Sequence, residues 1–374
     1  MNIAIASTFH PYRGGIAAFN DRLAKTLESD GHTVKTFNWK RQYPSYFFPG
    51  RAQTKDGHPP PSSGLDSINP MSWRRVAKEI VNERDVDVLY LPFWNSTLSP
   101  ALSSLALRVK KLSPRTTIIG IIHNSGSHDG SFADKSLSRF FLKSLDSCVT
   151  LSEIVTSRVK ELVPDLKCTT LFHPLYDHYP SKVSKEYAAK KLGLNPELPT
   201  VLFFGLIRPY KGLDILIEAV SHVKNDAQYL VAGECYEDWS KYAKLIENSG
   251  KADRFKVISK FIPDEELAVI FSASDILALP YKNATQSGVT ATAIHYDLPI
   301  IATRVGDLAE SISENLTGLL VPPNNSNSLA VAIDKWLTSN TNTGETVIKA
   351  YTSIKACKSW SIFTKRLTSA TPSA

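Results

Sequence analysis

Apolar residues recur along this chain at two spacings that take turns, and the alternation predicts the fold class. Short runs at Asn2–Ser7, His32–Trp39, Val86–Phe93, Thr116–His123 and Ser147–Leu151 read as strands. Between them the apolar positions fall three and four apart. Ile16, Phe19, Leu23 and Leu27 mark a helix over Gly15–Ser29, and further helices are expected over Trp73–Arg84, Ala101–Leu112, Ser136–Lys143 and Ile154–Leu162. Such alternation implies a doubly wound parallel α/β sheet. The rhythm relaxes near His173–Ser184, around Pro174 and Pro180. It resumes with strands at Thr200–Phe204, Gln228–Ala232, Phe255–Ser259, Ile276–Leu279, Pro299–Ala302 and Gly318–Val321. Residues 1–178 and 179–358 are therefore expected to form two Rossmann-like domains. Residues 359–374 are expected to return as a helix toward the N-terminal domain and to end in a frayed tail. Two such sheets imply a cleft faced by their carboxyl edges, where ligands of these folds bind.

Composition narrows the class. The chain has 374 residues, of which 43% are hydrophobic, as two globular domains require. No run approaches ~18 uninterrupted apolar residues, so no transmembrane helix is expected. The first residues read as a strand rather than a signal peptide. Cys148, Cys168, Cys235 and Cys357 show no metal or redox spacing, which suits structural thiols in a reduced cytoplasmic setting. The formal net charge of +7 permits an anionic partner. No nucleic-acid motif accompanies it, whereas a nucleotide ligand and an anionic membrane surface account for it equally well. Lys35, Lys40, Arg41, Arg51 and Lys55 gather near or within a stretch, Arg41–Asn69, that breaks the rhythm with several prolines. A loop this long inside a compact domain is more often functional than accidental.

Candidate chemistry collects at strand exits. After the apolar run Thr200–Phe204 come Gly205, the cations Arg208 and Lys211 around Pro209, and Gly212 opening an amphipathic helix. Strand, basic turn and helix start together suit an anion, and two fixed cations suit a diphosphate. Two solvated charges in an ordinary turn are the plainer alternative. Gly14-Gly15 follows the first strand and lets a ligand approach the backbone. His123 and Asn124 leave a strongly apolar strand, with His128 close behind, and no third residue at a metal-like spacing joins them. Within Tyr281–Val289, the backbone N–H groups of Ser287, Gly288 and Val289 can meet a phosphate or sugar hydroxyl, or simply open the next helix. Trp94 and the aromatic, basic run Trp39–Arg51, including Arg41 and Tyr43, suit sugar stacking or a lipid-linked acceptor. Burial of Phe47 and Phe48 in a core is the competing reading.

Assembled, these residues make the chain resemble retaining GT-B glycosyltransferases, in particular glycosyltransferase family 4 of the bacterial cell-surface polysaccharide type. The resemblance rests on Gly14-Gly15, His123, Gly205 with Arg208 and Lys211, Tyr281–Val289, Leu298–Thr303, Gly306 with Glu310, and Thr317–Pro322. It implies that Arg208 and Lys211 hold the donor diphosphate, that Gly15 contributes a backbone N–H near the same phosphates, and that Gly14 and Gly205 belong to the donor site. His123 would touch the transferred sugar, and Phe261–Pro263 would lie beside the nucleobase. It also implies a metal-independent, cytoplasmic hexosyltransferase with no cofactor beyond its UDP- or GDP-sugar, acting on a lipid-linked glycan with peripheral contact at an anionic membrane. The family's E-x7-E pair is not retained. Ala284 and Thr292 stand at those positions, which leaves Gln286 and Thr292 to supply neutral hydrogen bonds. Asn124, Trp94, Arg41 and Tyr43 would face the acceptor. A nucleotide-sugar epimerase of the same shape and an inactive nucleotide-sugar-binding subunit are the alternatives.

Overall fold

The computed structural model describes residues 1–43, 53–54, 58–82, 85–124, 132–177, 179–284, 287–309, 312–338 and 344–371. They divide into two compact units, Met1–Pro174 with Lys358–Ala374, and Leu175–Cys357. The first boundary thus falls at Pro174 rather than at 178, and the chain re-enters the first unit at Lys358.

The first unit runs β1 (Asn2–Ala6), α1 (Gly15–Ser29), β2 (Thr33–Phe37), β3 (Trp39–Arg41), β4 (Leu65–Asp66), α2 (Pro70–Asn82), β5 (Val88–Phe93), α3 (Ser99–Leu112), β6 (Thr117–Ile122), α4 (Phe132–Leu142), β7 (Ser147–Thr150), α5 (Glu153–Leu162) and β8 (Cys168–Thr170). Six strands form one parallel sheet in the order β2-β1-β5-β6-β7-β8. Helices α2 and α4 start at Pro70 and Phe132, ahead of the expected Trp73 and Ser136, and two strand regions also differ from expectation. The run His32–Trp39 breaks at Asn38, whose Oδ1 accepts from the N–H groups of Phe9 and Trp39. Trp39 then enters a separate two-stranded ladder with β4, fully buried. The edge strand β8 carries no apolar run, only half-buried Cys168, Thr169 and Thr170. Pairing with β7 makes it a strand, and sets Cys168 beside Cys148 with the sulfurs 2.7 Å apart.

Crossover handedness sorts the helices into layers. From β1 the chain steps one way to β2, then the other way through β5, β6, β7 and β8. Right-handed connections put α1 on one face and α2 to α5 on the other. Accordingly α2 packs on α3, α3 on α4 and α4 on α5. The C-terminal helix Trp360–Ser369 packs on α1 instead. Trp360 and Phe363 lie 5.1 and 5.8 Å from the Phe19 ring, and Thr364 donates to Asp30 Oδ2.

The second unit runs α6 (Lys185–Leu192), β9 (Thr200–Phe204), α7 (Leu213–Val220), β10 (Gln228–Ala232), α8 (Ser240–Asn248), β11 (Phe255–Ile258), α9 (Asp264–Ser272), β12 (Ile276–Leu279), α10 (Gly288–His295), β13 (Ile300–Thr303), β14 (Gly318–Val321), α11 (Ser326–Thr338) and α12 (Gly344–Cys357). Its parallel sheet has the order β11-β10-β9-β12-β13-β14. Strands β10, β12 and β13 are buried along their whole length, as sheets covered on both faces require. Each sheet reverses its strand order once, between β1 and β5 in the first unit and between β9 and β12 in the second. The crevice outside the carboxyl ends of the strands at a reversal is the ligand position of open α/β sheets.

Candidate functional site

The turn after β9 and the loop after β12 meet at the reversal of the second sheet, and several bonds lock them together. Lys282 donates its backbone N–H to the Tyr210 carbonyl at 2.7 Å, and its Nζ pairs with Asp214 Oδ2 at 2.6 Å. From β13, Thr303 Oγ1 donates to the Tyr281 carbonyl at 2.6 Å. Gly212, in the left-handed region at φ 72°, lets the turn seat: a Cβ there would stand 2.0 Å from the Pro280 carbonyl oxygen. The amphipathic stretch that Gly212 opens then becomes α7.

Both cations of this turn are held by aromatic rings rather than carboxylates. Lys211 is only 8% exposed, and its Nζ donates to Tyr281 Oη at 2.6 Å, which lies 3.3 Å from Ser287 Oγ. The Arg208 guanidinium stands 4.8 Å over the Tyr236 ring, and its buried Nε has no hydrogen-bond partner among the described residues. Among the described residues neither cation forms an ion pair. Burying an ammonium without a counter-charge is costly, so an arriving anion gains more here than at a solvated lysine. Gly205, at φ 106°, keeps the space beside Lys211 open, since a Cβ there would stand 3.4 Å from Nζ.

Helix α10 begins beside this pair. Ser287 precedes it without a side-chain cap, so the first-turn N–H groups of Gly288 and Val289 have no acceptor within the helix. Thr292 is buried, its hydroxyl donating to the Gly288 carbonyl at 3.2 Å, and Ala284 lies in the apolar core. Gln286 and Glu310 lie outside the described residues. Phe261 is half-buried and Ile262 buried in the turn that precedes α9.

In the first unit, His123 directly follows β6 and donates its N–H to the Phe93 carbonyl at 2.8 Å. The ring is 7% exposed, stands edge-on to Phe19 at 4.5 Å, and leaves Nε2 without a hydrogen-bond partner among the described residues. Burial, with a smaller contribution from His173, pushes its pKa down to about 3. The imidazole is therefore neutral, able to exchange a hydrogen bond but not to serve as a cation. Asn124 follows with Oδ1 unpartnered. Gly14 precedes α1 at φ 105° and Gly15 is its first residue.

The acceptor-side expectations fare differently. Arg41 is already neutralised, reaching both oxygens of Asp66 at 3.0 and 2.7 Å. The Trp94 indole packs on the core and donates to Tyr43 Oη at 3.0 Å, so these two aromatics satisfy each other. Phe47, Phe48 and His128 lie outside the described residues. Of the expected residues, the fold brings together Gly205, Arg208, Lys211, Ser287, Gly288 and Val289. His123, Asn124, Gly14 and Gly15 belong to the other unit. Sequence reasoning gave no role to Tyr281, Tyr236 or the Asp214–Lys282 pair. Their only signal was an aromatic or a lysine at a strand exit.

Residues 184–352 match the family model described as glycosyl transferases group 1. A D-inositol 3-phosphate glycosyltransferase from Mycobacterium marinum is 30% identical over 42% of this chain, which spans about a third (34%) of that relative. An uncharacterized glycosyltransferase from Methanocaldococcus jannaschii is 22% identical over 88% of this chain and 86% of its own. Among solved structures, sucrose-phosphate synthase from Thermosynechococcus elongatus superposes with a TM-score of 0.77 at 16% identity, covering 99% of this chain and 98% of that one. Anabaena HepE in complex with UDP-glucose gives 0.74 at 16% identity, covering 99% of both. The two six-stranded parallel sheets are thus those of the GT-B glycosyltransferase fold, and residues 184–352 carry a glycosyl transferases group 1 domain.

Proposed function

We propose that this protein transfers a sugar from a UDP- or GDP-sugar to a hydroxyl of a lipid-linked glycan in cell-surface polysaccharide synthesis, with retention and without a metal. The observation that carries the reading is Lys211, buried with only a phenol for a partner among the described residues, beside Arg208 at the strand-order reversal. A diphosphate there would meet two cations and the N–H groups of Gly288 and Val289. The acceptor oxygen attacks the anomeric carbon as its bond to the diphosphate breaks. The electron pair leaves with the nucleoside diphosphate, and the acceptor proton passes to the departing phosphate oxygen. Arg208 and Lys211 would stabilise the charge that develops on this leaving group, the part a divalent ion takes in other transferases. His123, which the resemblance assigns to the transferred sugar, would offer it a neutral imidazole, and no carboxylate is needed for the step.

The group 1 domain and the glycosyltransferase relatives support this reading, and the UDP-glucose complex of a protein of the same fold makes uridine donors the first to test. A thermal-shift panel of UDP, GDP, ADP and their sugars should single out one nucleotide, since a ligand at a hundredfold its Kd adds about 2.7 kcal/mol to the native state. The selected donor, given a lipid extract and excess chelator, should then lose its sugar to lipid. Turnover without acceptor would instead favour an epimerase, and binding without any turnover would favour a non-catalytic subunit. Activity lost to chelator and restored by magnesium or manganese would overturn the metal-free mechanism.

A further inference from the structure

Sequence spacing gave the four cysteines no chemistry, yet the fold brings two of them together. Cys148 on β7 and Cys168 on β8 are direct partners in the parallel ladder, so both side chains leave the same face of the sheet. Both belong to the apolar layer beneath α2 to α5, and their thiols share a hydrogen bond. Neighbouring strands lie about 4.8 Å apart, inside the roughly 4.4–6.8 Å that a disulfide spans between Cα atoms. The register therefore admits a bond without backbone movement. Cys235 donates instead to the Glu237 carbonyl, and Cys357 is exposed on α12.

Two thiols in contact can pack as small apolar groups and do nothing more. Here their surroundings differ. Cys148 is 1% exposed, whereas Cys168 is half-buried on a three-residue edge strand. With Cys168 as the thiolate, the Cys148 thiol donates to it and holds it below the usual thiol range, and Lys160 adds a smaller pull the same way. That bond and burial keep Cys148 protonated. Lys160, on α5, is fixed near the pair by the Pro164 and Leu166 carbonyls, at 3.0 and 2.7 Å in the turn before β8. One accessible sulfur favoured as thiolate, with a buried thiol against it, is the arrangement of a reacting and a resolving cysteine.

We propose that Cys168 and Cys148 form a reversible dithiol–disulfide site, closed by a hydroperoxide, that fastens edge strand β8 to β7. The Cys168 thiolate attacks a peroxide oxygen. The O–O bond breaks, the leaving hydroxide takes up a proton to become water, and Cys168 becomes a sulfenic acid. The Cys148 sulfur then gives up its proton and attacks the Cys168 sulfur. An S–S bond forms, the S–O bond breaks, and a second water leaves. The two thiols lose two hydrogens and two electrons, which the peroxide receives, and two equivalents of a small thiol reverse the reaction. Fastening acts where the sheet is weakest, since β8 has one neighbour only and the chain leaves the first unit just after it, at Pro174.

The test uses the full chain carrying Cys357→Ser, which removes the exposed thiol. After hydrogen peroxide, mass spectrometry should show the loss of two hydrogens and a peptide cross-link between Cys148 and Cys168, and dithiothreitol should restore both thiols. Adding Cys148→Ser should leave a sulfenic acid on Cys168 that dimedone labels, whereas Cys168→Ser should leave Cys148 unlabelled. Lys160→Gln, which can still donate to a carbonyl, should slow the first step about threefold by removing one nearby charge. Amide exchange at Cys148 and Leu171, whose N–H groups bond across the β7–β8 edge to Lys167 and Thr150, should slow in the oxidised chain. Melting curves check that each variant folds. Peroxide that leaves both thiols free, or carries Cys168 to a sulfinic acid without a cross-link, would overturn the proposal. So would dimedone labelling of Cys148 instead, or a disulfide formed only between two copies. Unchanged amide exchange after cross-linking would overturn the fastening of β8, and an unchanged rate in Lys160→Gln would remove Lys160 from the site.

Discussion

The two units use positive charge in opposite ways, although they share one architecture. In the second unit the helices sum to near neutrality, yet two cations, Arg208 and Lys211, are drawn into the sheet's reversal point and given aromatic partners. In the first unit many cations stand exposed on α2, α3 and α4, and the residue at the strand exit, His123, is held neutral by burial. A buried lysine beside a half-buried arginine suits a small dense anion. Many wet charges are screened by salt. Burial, with no counter-ion among the described residues, distinguishes this pair more than number does.

Breaking the second unit's arrangement should have the largest effect. Lys211→Ala and Arg208→Ala should each lower kcat/KM by about a hundredfold to a thousandfold, near 3 kcal/mol, as loss of a preorganised electrostatic contact does. Melting temperature should move little, because neither cation is repaid by an ion pair among the described residues. Turnover near wild type in both variants would remove the leaving-group assignment.

A smaller effect sharpens why the partner is a phenol. Tyr281→Phe keeps the ring and removes the only hydrogen-bond acceptor that the described residues offer Lys211. Steady-state kinetics should show a loss of about tenfold, the worth of one hydrogen bond to a charged group. Combined with Lys211→Ala it should add almost nothing, since Tyr281 acts through Lys211. Additive losses in this double-mutant cycle would give Tyr281 an independent role.

The smallest effect probes the neutral histidine of the first unit. In the unfolded chain His123 takes a proton near its ordinary 6.5, whereas in the folded unit burial delays this to about 3. Stability from this group is therefore complete above about 6.5 and is lost as pH falls from there toward 3. His173, lowered chiefly by burial, acts in the same direction. Melting temperatures across this range should decline less steeply in His123→Gln than in wild type. Identical slopes would show that the imidazole is not kept neutral by its surroundings.

The sequence by itself determined where most strands and helices form, because apolar spacing is a property of the chain within a few residues of any point. Gly15–Ser29, Thr200–Phe204, Gln228–Ala232 and Gly318–Val321 take the bounds that spacing predicts. It also placed Gly205, Arg208 and Lys211 in one turn, since strand exit, cations and helix start are contiguous there. Only the tertiary structure decided what those residues meet. Tyr281 reaches Lys211 from 70 residues away because β9 and β12 are neighbours in the sheet, an order no local pattern encodes. Asp66 cancels Arg41 through the β3–β4 ladder, and β8 exists only because β7 offers it a partner. Likewise Cys148 and Cys168 meet only through that pairing of β7 with β8. Burial, pairing and the electrostatics that follow depend on which distant segments pack together, so they were settled by the fold and not by the spacing.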